Sequence, residues 1–232
     1  MLRYQGVEFG KTRAVLRGES GRLSLAGACR TLRAGPVSGA DGSVRIDDLS
    51  NPVIEGNCSL SGGRANVVVR YEPAPSGILA AEFRVAGADL EQLTSGMSEN
   101  LSVTGLMDFE GTMLMRDRHF LLTVEFRSRK ARARRQVFDV KAVKALMALG
   151  GGGGMKVSQT EFAYTDIAGR VTVEDEYLIF EGLAGKEGEY EYLVRNRSPF
   201  PGVNVLVHTR TNTIRLADFA RRISRAAEYI AE

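Results

Sequence analysis

The sequence has 232 residues, of which 44% are hydrophobic and 25% charged, with a formal net charge of +3. That hydrophobic content excludes a disordered chain and admits one large β domain or two smaller ones. Aromatic residues supply only 7% and Trp is absent, so buried surface comes mainly from Val, Leu, Ile, Met and Ala, which favours sheet stacking over an aromatic ligand cage.

Residues 1–35 carry short alternating runs, such as Gly21-Arg22-Leu23-Ser24-Leu25, with leucines facing one way and polar side chains the other. This is the pattern of half-buried strand. The chain opens inside it, so a segment of a longer protein is expected. No run of about 18 apolar residues and no basic-then-apolar start is found. A hairpin follows at 42–56 and an apolar strand at 65–71, ended by Pro73 and Pro75. Cys29 and Cys58 flank this hairpin. A domain of this size has little need of a staple, so free thiols are expected, while pairing in an oxidising compartment stays open.

Strand resumes at 78–85, and 88–93 reads as one or two helical turns capped by Asp89. Strands over 101–110 and 113–126 then run into a basic segment, where six of the nine positions from Arg127 to Arg135 are Lys or Arg. Arg127, Arg129, Lys130, Arg132, Arg134 and Arg135 have two readings. They form a solvated edge strand whose charges discourage aggregation, or a patch that attracts the phosphates of lipid headgroups or nucleic acid. Nucleic acid is disfavoured because no aromatic residues interleave with the charges to stack bases.

The stretch 138–149 predicts a helix, capped by Asp139, with Val140, Val143, Leu146 and Met147 on one stripe and Gly150 at its end. Five consecutive glycines, 150–154, lead to strands at 157–164, 169–182, 189–195 and 202–209. An amphipathic helix from about Thr213 closes the chain, with Leu216, Phe219, Ile223, Ala227 and Ile230 on one face. It covers the open end of the sheet or docks a protein partner.

Three hairpins share Gly-x-apolar-x-apolar-x-Asp. Gly169, Val171, Val173 and Asp175 are matched at the same offsets by Gly111, Met113, Met115 and Asp117 and by Gly42, Val44, Ile46 and Asp48, and one insertion brings Ile54 and Glu55 onto Phe180 and Glu181. The chain is thus built by repeating an antiparallel hairpin. The predicted fold is mainly β: a curved, open antiparallel sheet of repeated hairpins with a central short helix and a C-terminal amphipathic helix. A hairpin region with the basic strand spans 1–136. A region of helix, Gly-rich turn, hairpins and terminal helix spans 137–232, and one sheet through both is compatible with the pattern.

Catalytic signals are missing. The glycine run lacks the Gly-Lys-Ser/Thr that a phosphate loop needs, and no Gly-x-Ser-x-Gly elbow occurs. His119 and His208 have no metal-ligand neighbour at the usual spacing, and the cysteines lack redox-motif spacing. Acidic residues concentrate at hairpin tips, where solvation accounts for them. No catalytic residue, cofactor or metal is expected, and the chain reads as non-enzymatic.

The strings FDVKAVKALMALGGGGG, GRVTVEDEYLIFEGLAGKEGEYEY and VNVLVHTRTNTIRLADFARRI resemble the AsmA-like superfamily, the bacterial bridge-like lipid transfer proteins of the TamB and YhdP type. The resemblance covers 88–225, most closely 137–225, and suits a C-terminal segment. It implies a gutter-shaped sheet whose apolar face carries phospholipid acyl chains, for lipid transport or outer-membrane biogenesis. It also implies a periplasmic place, tethered to the inner membrane by a segment outside this chain; the residues themselves leave a cytoplasmic one open. The groove-facing positions it points to are Val171, Val173, Leu178, Phe180, Val203, Val205 and Val207. Alternation alone also allows these to be ordinary core under the helices. The competing expectation is a β-rich structural or assembly module that binds protein partners.

Overall fold

The computed structural model describes residues 2–4, 7–19, 21–34, 37–72, 77–97, 101–130, 135–149 and 159–231. Strand predominates over helix, in a large open antiparallel sheet of hairpin strands that does not close into a barrel among the described residues. The chain divides into two compact units, residues 1–88 with 108–123 and residues 89–107 with 124–232. The division expected from the sequence pattern falls at 136/137. The prolines at 73 and 75, Gly150 and the glycine run, residues 157–158, and Arg132 and Arg134 lie outside the described residues.

The first unit is a meander. Its strands are β1 (Leu2–Tyr4), β2 (Val7–Gly10), β3 (Arg13–Glu19), β4 (Arg22–Ala34), β5 (Val37–Ile46), β6 (Val53–Leu60), β7 (Gly63–Glu72), β8 (Ile78–Asp89), β9 (Leu106–Arg116) and the beginning of β10 (His119–Arg129). From β4 onward each strand neighbours the next. The long β4 pairs with both β2 and β3, which hold the same register, Gly10↔Thr31 and Arg13↔Ala28. Together they are one strand interrupted at Lys11, whose φ is 49°.

Turn chemistry sets these registers. Ser61 and Gly62, with φ of 45° and 76°, make a two-residue turn between Leu60 and Gly63, the left-handed pair that matches strand twist. Asp117 and Asp175, at φ 54° and 51°, each open a two-residue turn of their hairpins. The third aspartate of the repeat works differently. Asp48 lies in the longer loop between β5 and β6, where Oδ1 accepts the Ser50 amide at 2.9 Å and hydroxyl at 2.7 Å.

The second unit contains α1 (Leu90–Met97), β11 (Val137–Asp139), α2 (Val140–Leu149), β12 (Glu161–Ala163), β13 (Asp166–Glu174), β14 (Tyr177–Gly182), β15 (Lys186–Glu187), β16 (Tyr190–Arg195), β17 (Val205–His208), β18 (Thr213–Arg215) and α3 (Leu216–Ala231). The end of β10 also belongs to it. β13 begins against β16, at Ile167↔Val194, and continues against β14, at Val171↔Phe180. At the crossing, Gly182 lies on the β16 backbone, where a Cβ would meet the carbonyl carbons of Glu191 and Tyr192 at 2.7 Å. β11 and β12 form a separate small sheet.

Around that small sheet Phe138, Tyr164, Val103, Met107 and Val143 are buried. The Phe138 and Tyr164 rings meet edge to face at 5.1 Å, and the Tyr164 hydroxyl donates to the Thr104 carbonyl at 2.7 Å. Burial pushes the Tyr164 phenol well above its ordinary range. Both predicted capping aspartates act as caps. Asp89 Oδ1 accepts the Glu91 amide at 3.0 Å, and Asp139 Oδ1 accepts the Ala142 amide at 2.6 Å. In each case the aspartate is the last residue of a strand and turns it directly into a helix. The closing helix begins three residues later than expected, because Thr213–Arg215 pair with β14 first. α3 lies against α2, and Arg222 Nη1 donates to the Leu149 carbonyl at 3.2 Å, satisfying an orphan at that helix end.

Asp139 also accepts the Ser102 amide on Oδ2 at 2.9 Å, so one carboxylate ties the loop before β9 to the start of α2. Asp139→Ala is expected to lower stability by about 1–2 kcal/mol, with Asp139→Asn retaining part of it, in urea unfolding followed by circular dichroism.

Candidate functional site

Directly opposed residues share a sheet face, so the registers of the first unit can be read as rows. One row runs Ala14, Gly27, Val44, Gly56, Val67, Phe83, and the next includes Leu25, Ile46, Ile54, Val69 and Ala81. These rows form one apolar face. The intervening positions carry the charges, with Arg45 against Glu55, and Glu82 opposite Val68 and so diagonal to Arg70. Arg70 Nη1 reaches Glu82 at 2.7 Å, Arg45 Nε reaches Asp47 at 2.6 Å, and Arg84 pairs with Glu110. The hydrogen bond to Asp47 is the main cause of a raised Arg45 pKa.

The apolar face is concave. A cavity of about 530 Å3 is bounded by side chains from β2 through β8, and none of its lining residues is charged. Phe9, Leu25, Leu32, Ile54, Leu60 and Phe83 form its larger walls. Small residues deepen the floor. A Cβ on Gly27 would lie 2.9 Å from Val44 Cγ1, and one on Gly56 would lie 2.8 Å from Val67 Cγ1, so the valines lean into space that side chains there would fill. Val44, Ile54, Val67 and Phe83 are only half-buried. Among the described residues this face is partly open.

Cys29 and Cys58 line the same cavity as free thiols. They flank Gly42, where a Cβ would stand 2.7 Å from Cys29 Sγ and 3.9 Å from Cys58 Cβ. Burial, and then the neighbouring Cys29, push the Cys58 thiol up.

The positions carried over from the resemblance lie in the second unit. Val171 opposes Phe180 and Val173 opposes Leu178, so these four share a face. Leu178 is buried, and the Phe180 ring meets Phe219 of α3 at 5.5 Å; α3 therefore covers part of that face. Val205 opposes the buried Val194, Val207 opposes Glu191, and Val203 lies outside a strand with its amide donating to Ala163 at 3.1 Å. The register thus groups Val171, Val173, Leu178 and Phe180 on the β13–β14 hairpin, while Val205 and Val207 lie on β17 against β16. On the other face of the hairpin, Arg170 joins Glu125 at 3.1 Å and Glu181 at 3.0 Å.

Of the basic residues, Arg127 and Arg129 belong to β10, which has β9 and β13 as its neighbours. They are not on a sheet edge. Arg127 lies 3.9 Å from Glu125 and Arg135 lies 2.9 Å from Glu161, while Arg129 and Lys130 are exposed. His208 serves a turn: Nδ1 accepts the Arg210 amide at 3.1 Å and Nε2 lies 3.4 Å from Glu189. Among the described residues no cluster of three or more His, Cys, Asp or Glu is placed to hold a metal, and no helix is long and apolar enough to cross a membrane.

The groove of the first unit was the site that residue patterns left unassigned. Its signal is the alternation of small or apolar with polar residues in 23–29, 54–60 and 65–71, which marks a face without saying that it stays open. Compared with protein-family models, curated proteins and solved structures, the chain has no match.

The folded state holds the Cys58 proton more tightly than the unfolded chain. The neutral thiol's contribution to stability is thus complete below about pH 8.5, the ordinary thiol value, and is lost as pH rises through the raised folded pKa. Alkylation of Cys58 by iodoacetamide is expected to be slower than that of a free thiol at pH 7.5 and to accelerate above the ordinary thiol range. Rates measured by mass spectrometry across pH check this.

Proposed function

We propose that this chain is a non-enzymatic, lipid-handling segment of a bacterial envelope, of the AsmA-like kind it resembles, and that the groove of the first unit holds phospholipid acyl chains. The observation that carries this reading is a concave, uncharged face whose apolar side chains are only half covered. Burying such a face against a hydrocarbon chain releases water without needing any directional partner, and each buried methylene contributes about 0.8 kcal/mol. Affinity then follows chain length more than headgroup. On this reading the segment works in the periplasm, for lipid transport or outer-membrane biogenesis, tethered through a part of the protein outside this chain.

The test is mass spectrometry of the organic extract of purified protein, beside Val67→Glu and Val173→Glu variants whose folding is checked by circular dichroism. Phospholipid is expected with the wild type and with Val173→Glu, and is expected to be lost from Val67→Glu, where a carboxylate would stand among uncompensated apolar groups. Loss from Val173→Glu alone would move the acyl chains to the hairpins of the second unit. A lipid-free wild type would overturn the proposal in favour of an assembly module.

A further inference from the structure

The edge of the first unit is covered along only part of its length. β1 pairs with β2, Leu2 opposite Phe9 and Tyr4 opposite Val7, but β3, which continues the same strand, pairs among the described residues on one side only, with β4. All seven β3 residues are exposed, and Leu16, on the groove face opposite Leu25, is 60% exposed. The outer edge of β3 therefore offers unpaired backbone groups beside an unfinished apolar face, the feature that recruits a further strand.

The sequence of β3, Arg13-Ala14-Val15-Leu16-Arg17-Gly18-Glu19, is complementary to itself when reversed. In an antiparallel pair centred on Leu16, Arg13 of each copy opposes Glu19 of the other, Ala14 opposes Gly18, and Leu16 opposes Leu16. Charges then meet their opposites on the polar face, and the groove face continues from one copy into the next. Neighbouring registers fail on physical grounds. A shift of two residues in either direction sets Arg13 against Arg17 or Arg17 against Arg17, which like-charge repulsion disfavours. A shift of one turns the apolar face of one copy to the polar side of the other.

The geometry points to a second copy of this chain as the partner of β3, joined edge to edge in an isologous antiparallel pair that makes the two grooves continuous. The inference goes beyond lipid binding and does not depend on it. The pairing is short, so its dimer is weak and concentration-dependent.

Sedimentation equilibrium over a concentration series tests it, with Arg13→Glu and Glu19→Arg made separately. The wild type is expected to dimerise. Each single variant, which sets like charges opposite each other twice, is expected to weaken the dimer by about tenfold. An equimolar mixture of the two variants is expected to recover wild-type association, because carboxylates at 13 and 19 of one copy meet guanidiniums at 19 and 13 of the other. That recovery also shows that both variants fold. Under mild oxidation Leu16→Cys is expected to cross-link copies through position 16, whereas Val15→Cys, opposite Arg17, does not. A wild type that stays monomeric throughout and gives no Leu16→Cys cross-link overturns the proposal. Single variants that dimerise like the wild type, or a mixture that fails to recover, overturn it as well.

Discussion

Everything in the first unit depends on keeping a two-residue alternation in register across successive strands. Because opposed residues share a face, the row from Gly27 through Val44 and Gly56 to Val67 exists only while β4 to β7 hold their pairing. A slip by one residue would exchange this row for the one carrying Arg45, Glu55 and Arg70. Two-residue turns such as Ser61-Gly62 guard against that slip, since their left-handed backbone fixes which residues face each other. Where the ladder does shift, between Ala40 and Ser43, the irregularity carries Asp41 at φ 52° and leaves Gly42 beneath the cysteines. Across the bulge the β5 residues opposite the groove-facing positions of β6 change from Ile46 and Val44 to Gly39.

The two units treat their apolar faces differently. In the second, Phe219 of α3 packs on Phe180, and a core of Phe138, Tyr164, Val103 and Val143 closes around the small sheet. In the first, the corresponding side chains remain half-buried around a cavity without charge. A covered face stabilises the unit that owns it. An open one leaves hydrophobic free energy to be gained from another molecule, and that difference underlies both the acyl-chain reading and the choice of the first unit as its place.

Aspartate shows how one residue type meets different local needs. Asp117 and Asp175 tolerate the left-handed conformation at hairpin tips, Asp48 organises a wider loop through Ser50, and Asp89 and Asp139 turn strands into helices by accepting first-turn amides. The last three uses follow from a short side chain whose oxygens reach nearby backbone donors, and the first two from the tolerance of Asp for the left-handed region. The acidic residues at these positions thus have structural roles.

The sequence by itself determined the β class, the hairpins at 42–56, 111–126 and 169–182, the capping roles of Asp89 and Asp139, and the apolar side of each strand. Those properties reside in periods, turn residues and caps within a few residues of one another. It did not determine the β18 strand before α3, because Thr213–Arg215 are strand only through pairing with β14. It likewise could not separate the basic strand from an edge, since an edge is defined by which neighbours arrive. Above all, Val67 and Phe180 carry the same local signal of an apolar residue on an alternating strand. Only the tertiary structure set Phe219 over Phe180 and left Val67 lining an open groove, because burial of a face is a property of what packs on it.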